Sequence, residues 1–147
     1  MPRLLPPHCL LICAALMIVL RALLPGPALI AAPFNWLGVV VMLAGFAVSL
    51  AGERRFRRVG TNILPFNPPT LFISDGIYRY SRNPMYLGFV LFLAGLAVTL
   101  GTLTPWLALP PFVIVIQRRF IAFEERAMLQ RFGADYLRYQ RTTRRWL

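Results

Sequence analysis

Two stretches of this chain, Phe34 to Gly52 and Pro84 to Thr102, run for 19 residues each without one charged side chain. A helix of that length rises roughly 28 Å, close to the ~30 Å hydrocarbon core of a bilayer. A third apolar run covers about Leu4 to Leu24, and its one charge, Arg21, sits near the end, where a long side chain reaches the interface. A fourth, about Leu103 to Ile116, is shorter and carries Pro105, Pro110 and Pro111, which remove backbone donors and predict a kinked or broken helix. The expectation is an all-α integral membrane protein with four spans at about 4–24, 34–52, 84–102 and 103–116. No period of 20 to 50 residues repeats and no long polar linker divides the chain, so residues 1–147 read as a single domain.

Composition agrees: 58% of the 147 residues are hydrophobic and 14% charged, too few charges for a soluble surface. All 16 basic residues are arginine, and the net charge is +11. Four arginines lie between Glu53 and Arg58, two more follow by Arg82 and eight come after Gln117, while 25–33 and 101–104 have none. Arginine-rich short loops stay in the cytoplasm, which puts both termini there and predicts a multi-pass protein of the cytoplasmic (inner) membrane. The absence of lysine points to a GC-rich bacterial genome. Nucleic acid is excluded as a partner, because the arginines alternate with long apolar blocks instead of decorating a polar fold. A cleavable signal peptide at the N-terminus is the alternative for the first run, opposed by Arg21 and Pro25.

Gly38, Gly45 and Gly52 fall seven apart, as do Gly88 and Gly95, which predicts close backbone approach of the second and third helices. Cys9 and Cys13, one turn apart and without a CxxC spacing, read as small apolar fillers facing lipid or a neighbouring helix.

Chemistry collects between the second and third runs and after the fourth. Thr61 to Pro69 has three prolines within five residues, so it is irregular, yet it is apolar enough to lie in the interface or cover a pocket. Asp75-Gly76 reads as a turn. Pro84 suits the first position of a helix with Asn83 as its N-cap, and the open amides there, beside Arg79 and Arg82, suit an anionic group such as a carboxylate. Ordinary capping with interfacial anchors is the alternative. After Gln117 the pattern turns amphipathic, with Gly133 as the predicted helix end. The fourth helix is therefore expected to extend into a cytoplasmic helical C-terminal segment. Glu124 and Glu125 have no His or Cys cluster that would make a metal site, and pairing with Arg118, Arg126 or Arg131 is their simplest role. The tail to Leu147 reads as an interfacial helix drawn to anionic membrane lipid.

Gly76-x-Tyr78, then Arg82-Asn83-Pro84-x-Tyr86-x-Gly88, then Glu124-Glu125-x-x-x-Leu129-x-x-Phe132-Gly133-x-x-Tyr136-x-x-Tyr139 resemble the isoprenylcysteine carboxyl methyltransferase family, within a wider group that includes the phospholipid N-methyltransferases. The resemblance covers roughly the C-terminal half. It implies a membrane enzyme that moves a methyl group from S-adenosylmethionine to a lipophilic acceptor, with a cytoplasmic cofactor site built from 70–88 and 118–139. Carried over by position, the cofactor contacts are Thr70, Leu71, Phe72, Ile73, Tyr78, Asn83, Pro84, Tyr86 and Glu124, with Glu125 as a partner. Arg118 or Arg119 is the candidate for the acceptor's carboxylate. Asn83 replaces a family histidine and cannot transfer protons.

Methyl transfer is an in-line displacement that needs positioning more than acid or base, so no catalytic group is identified beyond positioning by Asn83, Tyr86 and Glu124. A carboxylate acceptor, such as an isoprenylcysteine-like prenylated substrate, is nucleophilic as it stands. An amine or thiol, as in a phospholipid or small-molecule N- or S-methyltransferase, needs a base that the sequence does not reveal. The rivals are a proton-coupled transporter, which lacks an acid in any span, and a non-catalytic scaffold of the same fold.

Overall fold

The computed structural model describes residues 4–60 and 71–147, and the chain is all helical there apart from turns and one isolated bridge. Helix α1 is Pro6–Leu23, α2 Leu37–Val59 and α3 Pro84–Leu100. The remainder is a segmented rod made of α4 (Leu103–Trp106), α5 (Leu109–Val115), a π-helical turn Ile116–Ile121 and α6 (Ala122–Thr142). Three stretches are long and apolar enough to cross a membrane, Pro6–Leu23, Phe34–Val59 and Leu103–Thr142, and Pro84–Leu100 is a shorter apolar helix. The apolar part of the rod ends at Gln117. Helix α6 carries seven charged residues in 21.

The proline positions account for the segmentation. Pro6 and Pro84 open α1 and α3, where a missing N–H costs nothing. Pro110 and Pro111 fall in the first turn of α5, just after the break at Leu107–Ala108 that separates it from α4. At Gly133 (φ 48°, ψ −118°) the sequence predicts a helix end, but the structure bends there and continues to Thr142. A positive φ suits glycine whether a helix stops or turns. Here the aromatic face of the second half holds the continuation in place, with Tyr136 and Tyr139 both buried.

The glycine stripe meets its counterpart as expected. A Cβ on Gly45 would stand 2.5 Å from the Phe92 backbone nitrogen, and one on Gly88 2.5 Å from the Gly45 carbonyl oxygen. On the other side of α3, the main core joins Cys9, Cys13 and Met17 of α1 to Leu93 and Ala97 of α3 and to Phe112, Ile116 and Phe120 of the rod. The two cysteines thus face neighbouring helices. Arg21 Nε donates to the Leu100 carbonyl at 3.1 Å, closing the last turn of α3. With α1 and α2 flanking α3, a cavity of about 530 Å³ opens between the three, lined from Leu5 to Ala14, from Gly45 to Glu53 and from Met85 to Phe92.

Candidate active site

Asn83 stands at the N-cap position of α3, but its side chain makes no cap. Its Nδ2 donates instead to the Arg145 carbonyl at 3.0 Å, and its backbone N–H donates to Ser81 Oγ at 3.1 Å. The expected capping role is therefore corrected, because the C-terminal tail brings a backbone acceptor to the same place. That tail is not the interfacial helix expected: Thr143 leaves α6 in an extended conformation, and the remaining residues run across the start of α3. Arg82 N–H donates to the Arg144 carbonyl at 3.0 Å, Arg82 Nη1 to that of Gln140 at 3.1 Å, and Tyr139 OH to that of Tyr78 at 2.6 Å.

The adjacent glutamates point apart, as consecutive residues on a helix separated by 100° must. Glu125 accepts from Arg82 Nη2 at 2.9 Å and from Arg145 Nη2 at 2.5 Å, and the Arg82 and Glu125 side chains are each 11% exposed. The partners expected from the sequence, Arg118, Arg126 and Arg131, are not used. Glu124 turns inward and accepts a 2.5 Å hydrogen bond from Tyr86 OH. Among the described residues no arginine forms an ion pair with it. Burial pushes its carboxyl up to about 7, with the Tyr86 bond opposing and Glu125 adding to the rise. Tyr78 is buried nearby, its ring 5.4 Å from that of Phe56, and its hydroxyl has no partner among the described residues; burial and the field of Glu124 raise its pKa. Arg82 Nε is also buried without a partner among the described residues.

Of the stretch before the first motif, Thr70 and the segment Thr61 to Pro69 lie outside the described residues. Leu71 is exposed, Ile73 is buried, and Phe72 packs on Phe132, Tyr136 and Tyr139 with ring centroids 5.3–6.0 Å away. Asp75 precedes a short 3-10 turn, Gly76–Arg79, and pairs with Arg55, whose hydrogen bonds hold the Asp75 carboxyl below its usual value. Arg118 and Arg119 are exposed on the π-helical turn and line neither the cavity nor the Tyr86–Glu124 contact.

Residues 34–135, from the start of α2 to beyond the Gly133 bend, match the model of the phospholipid methyltransferase family. The chain belongs to that family. Its members are membrane methyltransferases dependent on S-adenosylmethionine. Among curated relatives, an uncharacterised protein of Haemophilus influenzae is 40% identical over 63 residues, which is 43% of this chain and all of that protein. Protein-S-isoprenylcysteine O-methyltransferase A of Arabidopsis thaliana is 29% identical over 107 residues, 69% of this chain and 53% of that one. The Schizosaccharomyces pombe protein-S-isoprenylcysteine O-methyltransferase is 33% identical over 78 residues, 51% of this chain and 32% of that one. The chain thus spans about half or less of the named methyltransferases. No solved structure matches it.

The two adjacent glutamates differ in their surroundings. Glu125 is consumed in an ion-pair cluster, while Glu124 is a half-buried carboxylate held by one neutral donor. A consequence follows for stability. The unfolded carboxyl titrates near 4.5 and the folded one near 7, so the protein pays to ionise Glu124 while folded, and that cost grows as pH rises between those values. Glu124→Gln is expected to stabilise the protein at about pH 8 by on the order of 3 kcal/mol relative to its effect below about pH 4.5. Thermal unfolding of both proteins in detergent across that range checks this.

Proposed function

We propose that the chain, acting as one domain, transfers the methyl group of S-adenosylmethionine to a lipophilic acceptor at the cytoplasmic face of a bacterial inner membrane. The observation that carries this reading is the Tyr86–Glu124 contact, which joins the wall of an apolar cavity to a half-buried carboxylate with no cationic partner among the described residues. The cofactor brings what that place lacks. Its sulfonium and ammonium offer positive charge to Glu124, and its ribose hydroxyls or adenine offer a partner to the unsatisfied Tyr78 hydroxyl. The residues present therefore fit it.

When bound, the cofactor supplies a methyl group on a positively charged sulfur. The chain's own residues do the rest. Glu124 holds positive charge, Tyr78 and Tyr86 offer ring faces worth ~0.5 to 2 kcal/mol to a cation, and Pro84 with Leu71 to Ile73 forms the surrounding wall. Asn83 and Glu125 act from behind by fixing the tail across the start of α3. The arginine distribution puts both termini and this site on the cytoplasmic side. The acceptor's chain enters the cavity sideways from the bilayer. The names of the Arabidopsis and fission-yeast relatives favour carboxyl O-methylation of an isoprenylcysteine-like acceptor.

Calorimetry on detergent-purified protein tests the cofactor. S-adenosylmethionine and S-adenosylhomocysteine are expected to bind the wild type, and Glu124→Ala to weaken S-adenosylmethionine at least tenfold, about 1.4 kcal/mol. A folded wild type that binds neither would overturn the enzyme reading and leave a scaffold.

A further inference from the structure

The second half of α6 turns at Gly133 and closes against the segment that leads into α3. Tyr139 OH donates to the Tyr78 carbonyl at 2.6 Å, Thr143 Oγ1 to that of Arg79 at 3.4 Å, and the Phe72 ring stands 5.3 Å from that of Tyr139. Between the two elements lies a cleft of about 520 Å³. It shares no lining residue with the cavity beside α3, includes neither Tyr86 nor Glu124, and has only Phe72 in common with the cofactor wall proposed above. Its rim is made of exposed polar side chains, Ser74 and Arg79 from one element and Asp135, Arg138 and Thr142 from the other. The last three are spaced three and four apart, which puts them on one helix face.

The two arginines set the chemistry. Among the described residues neither guanidinium makes an ion pair or a hydrogen bond. The chain has five acids, and four are engaged elsewhere: Glu53 by Arg57, Asp75 by Arg55, Glu124 by Tyr86, and Glu125 by Arg82 and Arg145. The fifth, Asp135, lines the cleft without an ion pair among the described residues, so the lining keeps two positive charges against one negative. A guanidinium presents planar, paired N–H donors that match two oxygens of one anion. The Ser74 hydroxyl, without a hydrogen bond among the described residues, adds a third donor group. Donors converging from two elements suit a tetrahedral anion better than a planar carboxylate.

We propose that the cleft between the 3-10 turn and the second half of α6 binds a phosphate group, with Arg79 and Arg138 holding its oxygens. The inference is independent of the methyltransferase reading. A lipid headgroup and a soluble phosphate share this chemistry, and the position of the cleft favours the headgroup. Arg79 lies five residues before Pro84, where the apolar helix α3 begins, and the chain beyond Thr143 crosses that start, its Arg144 carbonyl accepting from Arg82 N–H. On the orientation proposed above, this is the cytoplasmic membrane surface, where anionic phospholipids present phosphate.

The test titrates the full chain in detergent, by calorimetry, with short-chain phosphatidylglycerol, the diacylglycerol of the same chains, and inorganic phosphate. Arg79→Gln with Arg138→Gln is expected to weaken binding of the phosphate-bearing probe about tenfold or more and to leave diacylglycerol unchanged. Arg54→Gln with Arg58→Gln removes the same charge from exposed arginines of α2 that line neither cavity, and is expected to change binding less than about twofold. Asp135→Asn, which takes away the one negative charge of the lining, is expected to tighten binding about threefold. These side chains are exposed, so circular dichroism is expected to show all variants folded. Phosphatidylglycerol bound more tightly than inorganic phosphate, and lost with Arg79 and Arg138, supports the proposal with a lipid as the source. Inorganic phosphate bound as tightly, and lost with the same pair, supports it with a soluble phosphate. No binding of either probe, equal losses from the two arginine pairs, or weaker binding in Asp135→Asn would overturn it.

Discussion

Glu125→Ala is expected to lower the unfolding free energy by about 3 to 5 kcal/mol, the cost of leaving a buried charge uncompensated. Glu125 accepts three hydrogen bonds, one from Arg82 and two from Arg145. The Arg82 side chain is 11% exposed, and its Nε already lacks a partner among the described residues. Removing the carboxylate leaves that guanidinium buried with a single backbone acceptor, Gln140. The tail then loses its anchor, and with it the Arg144 and Arg145 carbonyls that receive Arg82 N–H and Asn83 Nδ2. Two readouts follow, an earlier thermal unfolding in detergent and faster tryptic release of the C-terminal residues. The comparison is Glu53→Ala, which removes an i,i+4 pair with side chains 70% and 36% exposed and is expected to cost about 0.5 kcal/mol or less. Equal effects from the two substitutions would mean that the Glu125 cluster is no more than a surface pair.

The features legible in the sequence are those set by local chemistry. Uncharged runs of spanning length, prolines that open or break helices, and glycines seven apart all act through neighbours on the same helix or through a repeated contact. They predicted the helices, the broken fourth segment and the α2–α3 packing. Of the candidate site residues, Tyr86 and Glu124 do meet, but the wiring around them was not legible. Tyr86 and Glu124 are 38 residues apart, Arg82 and Glu125 are 43 apart, and Asn83 and Arg145 are 62 apart. An adjacent pair of acids among many arginines offers no local signal for which arginine each will choose, so the short-range partners were expected and the long-range ones formed. Asn83 illustrates the same limit, because a cap residue and a tail anchor use the same amide. Gly133 shows that a positive-φ glycine marks a change of helix direction without saying whether the helix resumes. The tail itself carries a weak hint in hindsight: Thr143 interrupts the arginine-rich amphipathic pattern just where the chain leaves the helix and Arg145 turns back to Glu125.

Gly45→Leu is expected to prevent α2 and α3 from packing, and even Gly45→Ala to destabilise by about 1 to 3 kcal/mol. Alanine is the better helix former by about 1 kcal/mol, so on an isolated helix the sign would be reversed. The facing surface decides otherwise. The atoms a Cβ would meet are the Phe92 nitrogen at 2.5 Å, the Gly88 oxygen at 2.7 Å and the Leu91 carbonyl carbon at 3.0 Å, all of them backbone. No side chain can swing aside, and the helices must separate along a stripe that also carries Gly38 against Gly95. Because α2 and α3 form two walls of the cavity, separation alters the cavity as well as stability. Gly52 provides the internal scale. A Cβ there meets first the Met85 Cγ at 2.8 Å, the middle of a flexible side chain, so Gly52→Ala should be milder. Ala44, next to Gly45 but exposed, provides the baseline, and Ala44→Leu should change little. Detergent unfolding followed by circular dichroism should therefore rank Gly45→Ala below Gly52→Ala and Gly52→Ala below Ala44→Leu. A Gly45→Ala protein as stable as Ala44→Leu would mean that the two helices do not approach to backbone contact, and the cavity between α1, α2 and α3 would have to be redrawn with them.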